Sequence, residues 1–292
     1  MAYVATLIPS TPFMVPTMLT QLLAVLEERG QFPAKLDWLV PQRVVDLWFR
    51  DHPAEDSLNF ARELCEQHAT DMVLQAAEHR TYRMLISDMD STMITVECID
   101  ELADFVGKKA EVAQITERAM NGELDFASAL TERVALLKGL PVASLQKCFD
   151  ERVTFTSGAK ALVDCMKRQG AYCLLISGGF DFFTARVAEK LGFDAHLGNT
   201  LEIENSQLTG RVIPPISGKE AKLAALQHHA AERGIRPEEI MAVGDGANDL
   251  QMLLAAGFGV AYRAKPTVRR QAKHAIDYND LSALIYAQGL TF

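Results

Sequence analysis

Two short acidic stretches hold the residue types best suited to chemistry: Asp88-Met89-Asp90-Ser91-Thr92 and Gly244-Asp245-Gly246-Ala247-Asn248-Asp249. In the first, two carboxylates stand two residues apart. Such a pair can divide the work of phosphoryl transfer. One carboxylate attacks phosphorus and forms an acyl phosphate. The other protonates the leaving oxygen and then deprotonates the attacking water. On this reading Asp88 is the nucleophile and Asp90 the acid/base. Taken alone, the pentapeptide serves equally well as a capped turn, where Asp and Ser are common. An EF-hand loop fits less well, because no glycine falls at the sixth position of the spacing.

The second stretch follows the apolar run Ile240–Val243. Asp245 and Asp249 can offer oxygen ligands to a hard cation, and magnesium binds through one or two carboxylates together with substrate phosphate and water. Such an ion would let a carboxylate approach a phosphate. Gly244 and Gly246 allow a tight turn close to a ligand. A third candidate is Ser177-Gly178-Gly179. Ile176 closes an expected strand and Phe180 opens an expected helix, which places Ser177 and the glycine N–H groups at a helix N-terminus, a natural anion site. Lys219 precedes a helix containing Leu223 and Leu226 and could bring a cation to the same phosphate. Lys222, one turn on, competes for that role.

These residues need a frame that brings strand ends together. From about Thr81 onward, short apolar runs alternate with helical segments: Arg83–Ser87, Ala171–Ile176, Ile240–Val243 and Gly257–Ala261, separated by helices that include Phe180–Leu191 and Glu220–Arg233. Alternation of this kind predicts a doubly wound, mostly parallel α/β sheet with helices on both faces. Ligands bind such sheets at the carboxyl ends of the strands, where both acidic stretches fall. Residues 98–156 contain no convincing strand. They read as three or four helices punctuated by Gly107, Asn121-Gly122 and Gly139-Leu140-Pro141, an insert suited to be a lid. Thr200–Val212 reads as a hairpin with Asn205-Ser206 at its tip.

Residues 1–80 read as a separate unit. Strands at Tyr3–Ile8, Leu36–Val40, Val44–Phe49 and Met72–Leu74 alternate with helices at Thr17–Glu28 and from Asp56 to about His68. The order β-α-β-β-α-β is that of a ferredoxin-like α+β module.

Composition limits the partners. The chain has 292 residues, 49% hydrophobic and 23% charged, with a net charge of -9. That is ample for a globular core. The acidic surface argues against nucleic acid and against anionic membrane. An anionic substrate then requires a cation or placed Lys and Arg residues at the site. Five cysteines without a C-x-x-C argue against disulfides or zinc and for reduced thiols in a cytoplasmic protein. No signal peptide and no membrane span are expected.

The three motifs DMDST, ISGG and a lysine followed by GDGAND, in that order, resemble the haloacid dehalogenase-like hydrolase superfamily. From about Ser87 to the end, the chain is similar to its phosphoserine phosphatase family. GDGANDLQML, Ala264-Lys265-Pro266 and the insert segment MNGELDFASALTERVALLKGL share in that likeness. The resemblance implies magnesium-dependent hydrolysis of O-phospho-L-serine, the last step of L-serine biosynthesis, through an aspartyl phosphate on Asp88, with Asp90 as general acid/base. It implies a magnesium ion held by the Asp88 carboxylate, the Asp90 carbonyl and the Asp245 carboxylate, with Asp249 supporting its water. Ser177, Gly178 and Lys219 would hold phosphoryl oxygens, and Asn248 would line that pocket. Glu97 would meet the substrate ammonium and Arg133 its carboxylate, with Met120 and Phe126 closing over it. A planar arginine fork suits a carboxylate, and Phe126 and Arg133, seven residues apart, share one side of a helix.

The helix after Lys219 runs about one turn longer than is usual in the family, through Gln227-His228-His229-Ala230. Length added before the helix would give Lys222 the role assigned to Lys219. His228 and His229 are expected on the surface. The N-terminal unit resembles ACT-like regulatory domains in element order, suiting serine sensing, packing or dimerisation, with the protein a monomer or homodimer. Rival readings are a phosphatase or phosphotransferase for another small phosphomonoester, and a non-catalytic serine or phosphate sensor.

Overall fold

The computed structural model describes residues 2–120 and 123–291, the side chain of Met120 excepted. Two sheets organise the chain. The first is built from β1 (Tyr3–Pro9), α1 (Pro16–Glu28), β2 (Lys35–Val40), β3 (Val44–Phe49), α2 (Glu55–Gln67) and β4 (Thr70–Ala76). Its strand order β2-β3-β1-β4 is antiparallel throughout, as a ferredoxin-like module requires. Leu22, Leu26, Leu47 and Leu64 form its core under the two helices.

β4 is longer than the apolar run Met72–Leu74 suggests. Thr70, Asp71 and Gln75 are buried polar residues that hide the strand from a hydrophobicity reading. Thr70 bonds within its own unit, to the His68 carbonyl at 3.2 Å, but the partners of Asp71 and Gln75 lie beyond residue 80. Asp71 accepts from the backbone N–H of Asp277 at 2.8 Å and of Asn279 at 2.9 Å. The Gln75 amide donates to the Ala287 carbonyl, and its oxygen accepts from Tyr82 Oη at 2.6 Å.

The second sheet begins with β5 (Met84–Ser87). The helical insert follows as α3 (Cys98–Phe105), α4 (Lys109–Met120), α5 (Phe126–Ala135) and α6 (Ala143–Arg152). The chain returns through α7 (Ala159–Arg168), β6 (Tyr172–Phe180), α8 (Asp181–Leu191), β7 (Ala195–Glu204) and β8 (Gln207–Ile213). It ends with α9 (Lys219–Arg233), β9 (Ile240–Gly244), α10 (Leu250–Ala255), β10 (Phe258–Tyr262), α11 (Pro266–Gln271), β11 (His274–Ile276) and α12 (Ala283–Ala287). The sheet order is β11-β10-β9-β5-β6-β7-β8, parallel except for the β7–β8 hairpin. Asn205 and Ser206 form the hairpin tip, both with positive φ, as a two-residue turn of right-twisted strands demands.

The insert is tied down at two places. At its root, Thr95 N–H bonds the Thr154 carbonyl at 2.9 Å and Thr156 N–H bonds the Met93 carbonyl at 3.0 Å, so the two linkers pair as antiparallel strands. At its far side, Gly139 N–H donates to the Leu208 carbonyl and Leu208 N–H to the Leu140 carbonyl, both at 2.9 Å. The hairpin thus pins the insert over the sheet. All five cysteines are buried and free, and among the described residues no helix is long and apolar enough to cross a membrane.

Candidate active site

Register decides where the chemistry lies. β5 is flanked by β9 and β6, and Ser87 pairs with Val243 on one side and Leu175 on the other. Residues 88–92 and 245–249 therefore leave the sheet side by side at its carboxyl edge, next to residues 177–179 in the irregular end of β6. These are the three motifs of the sequence.

Carboxylates crowd there. Oxygens of Asp88, Asp245 and Asp249 lie within 4.8 Å of one another. Among the described residues one ammonium meets them: Lys222 Nζ stands 2.7 Å from Asp88 Oδ1 and 2.5 Å from Asp249 Oδ1, with Lys222 only 1% exposed. Asp249 is further held by the Gly246 N–H at 2.9 Å, and Asp245 by the Thr92 hydroxyl at 3.0 Å. One positive charge against three negative leaves the cluster over-charged. Burial, reinforced by the Asp249 charge and opposed by Lys222, pushes the Asp88 carboxyl well above the usual carboxylate range. Burial and Asp249 raise Asp245 to about 6. Burial alone would favour a neutral Lys222 amine, but Asp249 and Asp88 outweigh it and keep the ammonium charged. Clustered hard oxygen donors with surplus negative charge fit a magnesium-like cation.

Lys219, the expected phosphate contact, does not reach this cluster. Its side chain is 56% exposed and lies 3.7 Å from Glu220. Gly218 caps α9, so Lys219 is the first helical residue at the rim, and the lysine one turn in is the one that points to the carboxylates. The competing choice, Lys222, is the lysine in the site.

Asp90 is oriented at both oxygens. Cys98 N–H, at the start of α3, donates to Oδ1 at 2.9 Å, and the Ser177 hydroxyl donates to Oδ2 at 2.9 Å. Ser177 Oγ in turn accepts from Gly179 N–H at 2.8 Å. The helix after this motif begins at Asp181, and residues 177–179 continue β6 as an irregular tail. The expected helix N-terminus at Ser177 is therefore a bulged strand end. The break in register frees its peptide groups from the ladder to face the site.

The insert supplies the roof. Phe126 lies against the backbone of two segments: a Cβ on Gly178 would fall 2.8 Å from Phe126 Cζ, and one on Gly218 3.0 Å from Cδ1. Only glycine admits the ring so closely. Arg133, on the same side of α5, is half-buried, and its one hydrogen bond among the described contacts runs from Nε to its own helix, the Ala129 carbonyl, at 3.2 Å. Burial lowers its pKa, opposed by the nearby charges of Asp100 and Glu97. Glu97 faces the same cleft. Although its surface is open to solvent, the surrounding protein and the Asp90 charge raise its carboxyl to about 7. The Ser91 hydroxyl holds Glu97 at 2.7 Å from a left-handed backbone, φ 54°, a strained choice for serine of the kind found at functional sites.

Asn248 is half-buried on the second acidic loop. Met120 ends α4 near the roof, but its side chain is outside the described residues, as are Asn121 and Gly122. His229 is not free on the surface as expected. Its Nδ1 lies 3.2 Å from Tyr172 Oη and the rings stack at 5.6 Å, while His228 is exposed. Ser91 and Thr92 stand in the first motif, but their partners, Glu97 and Asp245, are fixed only by the fold.

Residues 85–254 match the haloacid dehalogenase-like hydrolase family. The phosphoserine phosphatase of Archaeoglobus fulgidus is 44% identical over 243 residues, covering 82% of this chain and 70% of that protein. A solved HAD family hydrolase from Salmonella enterica serovar Typhi has a TM-score of 0.87 at 33% identity, covering 98% of each chain. A phosphoserine phosphatase solved as a phospho-aspartyl intermediate analogue has a TM-score of 0.67 at 36% identity, covering 72% of this chain and 100% of that one.

Proposed function

The chain belongs to the phosphoserine phosphatase family of haloacid dehalogenase-like hydrolases, and from that premise we propose that it hydrolyses O-phospho-L-serine with magnesium through a phosphorylated Asp88. The observation that carries this reading is the meeting of two acidic loops around one buried lysine, with Asp88, Asp245 and Asp249 within 4.8 Å.

The carboxylates of Asp88 and Asp245 and the carbonyl of Asp90 would hold the magnesium ion, with Asp249 supporting its water. Bound there, the ion supplies positive charge that lets an anionic nucleophile approach an anionic phosphate. Lys222 adds a second positive charge beside Asp88 and Asp249. Asp88 Oδ attacks phosphorus, and the bond from phosphorus to the serine oxygen breaks. Asp90, held by Cys98 N–H and Ser177, passes its proton to the leaving oxygen. The resulting carboxylate then takes a proton from water, whose oxygen attacks phosphorus and frees Asp88. The Ser177 hydroxyl, on giving up its bond to Asp90, and the Gly178 N–H would steady the phosphoryl oxygens. Phe126 excludes bulk water above them. At the other end of the substrate, Glu97 and Arg133 offer one anion and one cation, a match for an α-amino acid.

A phosphate-release assay with and without magnesium, comparing L-phosphoserine, phosphothreonine, phosphohomoserine and p-nitrophenyl phosphate, tests the reading. Magnesium-dependent turnover with a preference for phosphoserine is expected; equal rates on all four esters would remove the amino-acid specificity. Arg133→Ala should lower kcat/KM for phosphoserine about 10- to 100-fold, the weight of a charge-assisted hydrogen bond, and leave p-nitrophenyl phosphate nearly unchanged. An equal loss on both esters would argue against carboxylate recognition by Arg133.

A further inference from the structure

Beneath the bulged strand end lies an asparagine that no motif singles out. Asn199, on β7, is 1% exposed. Its Nδ2 donates to the Gly178 carbonyl at 2.8 Å and to the Ser217 carbonyl at 3.2 Å, and its Oδ1 accepts from Ser217 N–H at 2.7 Å. One side-chain amide thus pairs with both peptide groups of Ser217, as a neighbouring strand would. It also satisfies the carbonyl that the register break between Ile176 and Phe180 releases from the ladder.

Its hydrogen bonds tie together two segments that each carry part of the candidate site. The first, Ser177–Gly179, holds Asp90. The second, Ser217–Gly218, caps α9, whose next turn carries Lys222 to Asp88 and Asp249. Gly178 and Gly218 also form the two walls against which the Phe126 ring lies. Asn199 therefore sits where a shift would move the serine–glycine segment, the lysine and the seat of the roof relative to one another. Buried amide groups left unpaired are costly, so a replacement must either leave three peptide groups unsatisfied or let the segments part.

We propose that Asn199 is a positioning residue for phosphoryl transfer, setting the distance between the Ser177–Gly179 segment and the α9 segment that aims Lys222. It touches neither substrate nor the reacting carboxylates. This inference rests on the phosphatase reading for the type of reaction and makes no use of the amino-acid specificity.

The test uses the full chain with magnesium, p-nitrophenyl phosphate as substrate and orthophosphate as competitive inhibitor, so that recognition of the serine portion plays no part. Asn199→Ala and the near-isosteric Asn199→Asp, which loses both donors but keeps an oxygen for Ser217 N–H, are compared with wild type. An ångström-scale displacement should lower kcat about 100-fold and raise the inhibition constant of orthophosphate, with the same factor on phosphoserine. Rates are expressed per folded molecule, from unfolding curves of each variant. A loss that persists in folded Asn199→Asp supports positioning. Wild-type kcat and phosphate inhibition in folded Asn199→Asp would overturn it, as would a loss fully explained by the unfolded fraction. Wild type inactive on phosphoserine but active on p-nitrophenyl phosphate would overturn the substrate reading alone.

Discussion

Two buried charge clusters, one at the junction of the sheets and one at the active site, are built from similar residues and differ in their balance. At the junction, Arg80 donates to Asp46 at 2.7 and 3.3 Å, to Thr6 at 3.2 Å and to the carbonyls of Tyr286 and Ala287 at 3.2 and 3.1 Å. Thr6 completes the Asp46 carboxylate at 2.6 Å. Charge is neutral and all three guanidinium nitrogens donate. At the active site, one lysine faces three carboxylates, and the positive charge falls short. A saturated, neutral cluster fixes a contact. An over-charged one keeps an unmet demand for a cation, and that demand suits it to bind metal and phosphate. The fold tolerates the second because the first and the large apolar core hold the frame around it.

Removing the nucleophile should separate the clusters most sharply. Asp88→Asn is expected to lower turnover by at least about 10⁴-fold, in the range seen when a catalytic unit loses one member. The same change relieves like-charge crowding, so the metal-free protein should unfold no earlier than wild type in a thermal scan. Activity near wild type would take Asp88 out of the nucleophile role, and marked destabilisation would show its charge to be structural.

The junction should behave in the opposite way. Arg80→Ala leaves Asp46 buried without its counter-ion, a loss of about 3–5 kcal/mol in urea unfolding. KM on the surviving folded fraction should stay within a factor of about two, because the partners of Arg80, namely Asp46, Thr6 and the carbonyls of Tyr286 and Ala287, are not residues of the candidate site. A loss below about 1 kcal/mol would put this pair on a level with an exposed one.

The smallest effect expected is the dependence of metal stabilisation on pH. The Asp88 and Asp245 carboxyls are raised in the folded protein, Asp245 to about 6. Between the ordinary aspartate value of about 3.9 and those raised values, the folded chain binds more protons than the unfolded one. These groups therefore oppose folding at neutral pH, and that opposition fades as pH falls through about 6. Magnesium competes with protons for the same oxygens. It should raise Tm by a few degrees at about pH 7.5 and by less at about pH 5.5. An equal rise at both values would mean that the ion binds elsewhere.

Much of the site was legible because its residues are local in sequence. Asp88 and Asp90, and Asp245 and Asp249, stand just past apolar runs, and period and position were enough to place them at strand ends. The Phe126–Arg133 spacing set them on one side of a helix for the same reason. The choice between Lys219 and Lys222 stayed open in the sequence because it depends on where a helix starts. Gly218 caps α9, and one turn separates a rim lysine from a buried one. The irregular end of β6 was unreadable as well, since a register break is a property of two strands together. β4 was underestimated because Asp71 and Gln75 look exposed until the 277–279 loop and Ala287 arrive to bond them.

The sequence by itself determined the carboxylates proposed to react, the alternating frame that carries them and the helical insert above. These follow from short-range spacing and from backbone periodicity. Tertiary structure alone decided which lysine joins the carboxylates, how Asn199 bridges two segments and how the N-terminal sheet is fastened to the rest. Each of those rests on polar groups far apart in the chain, whose burial becomes favourable only when a distant partner completes the hydrogen bond.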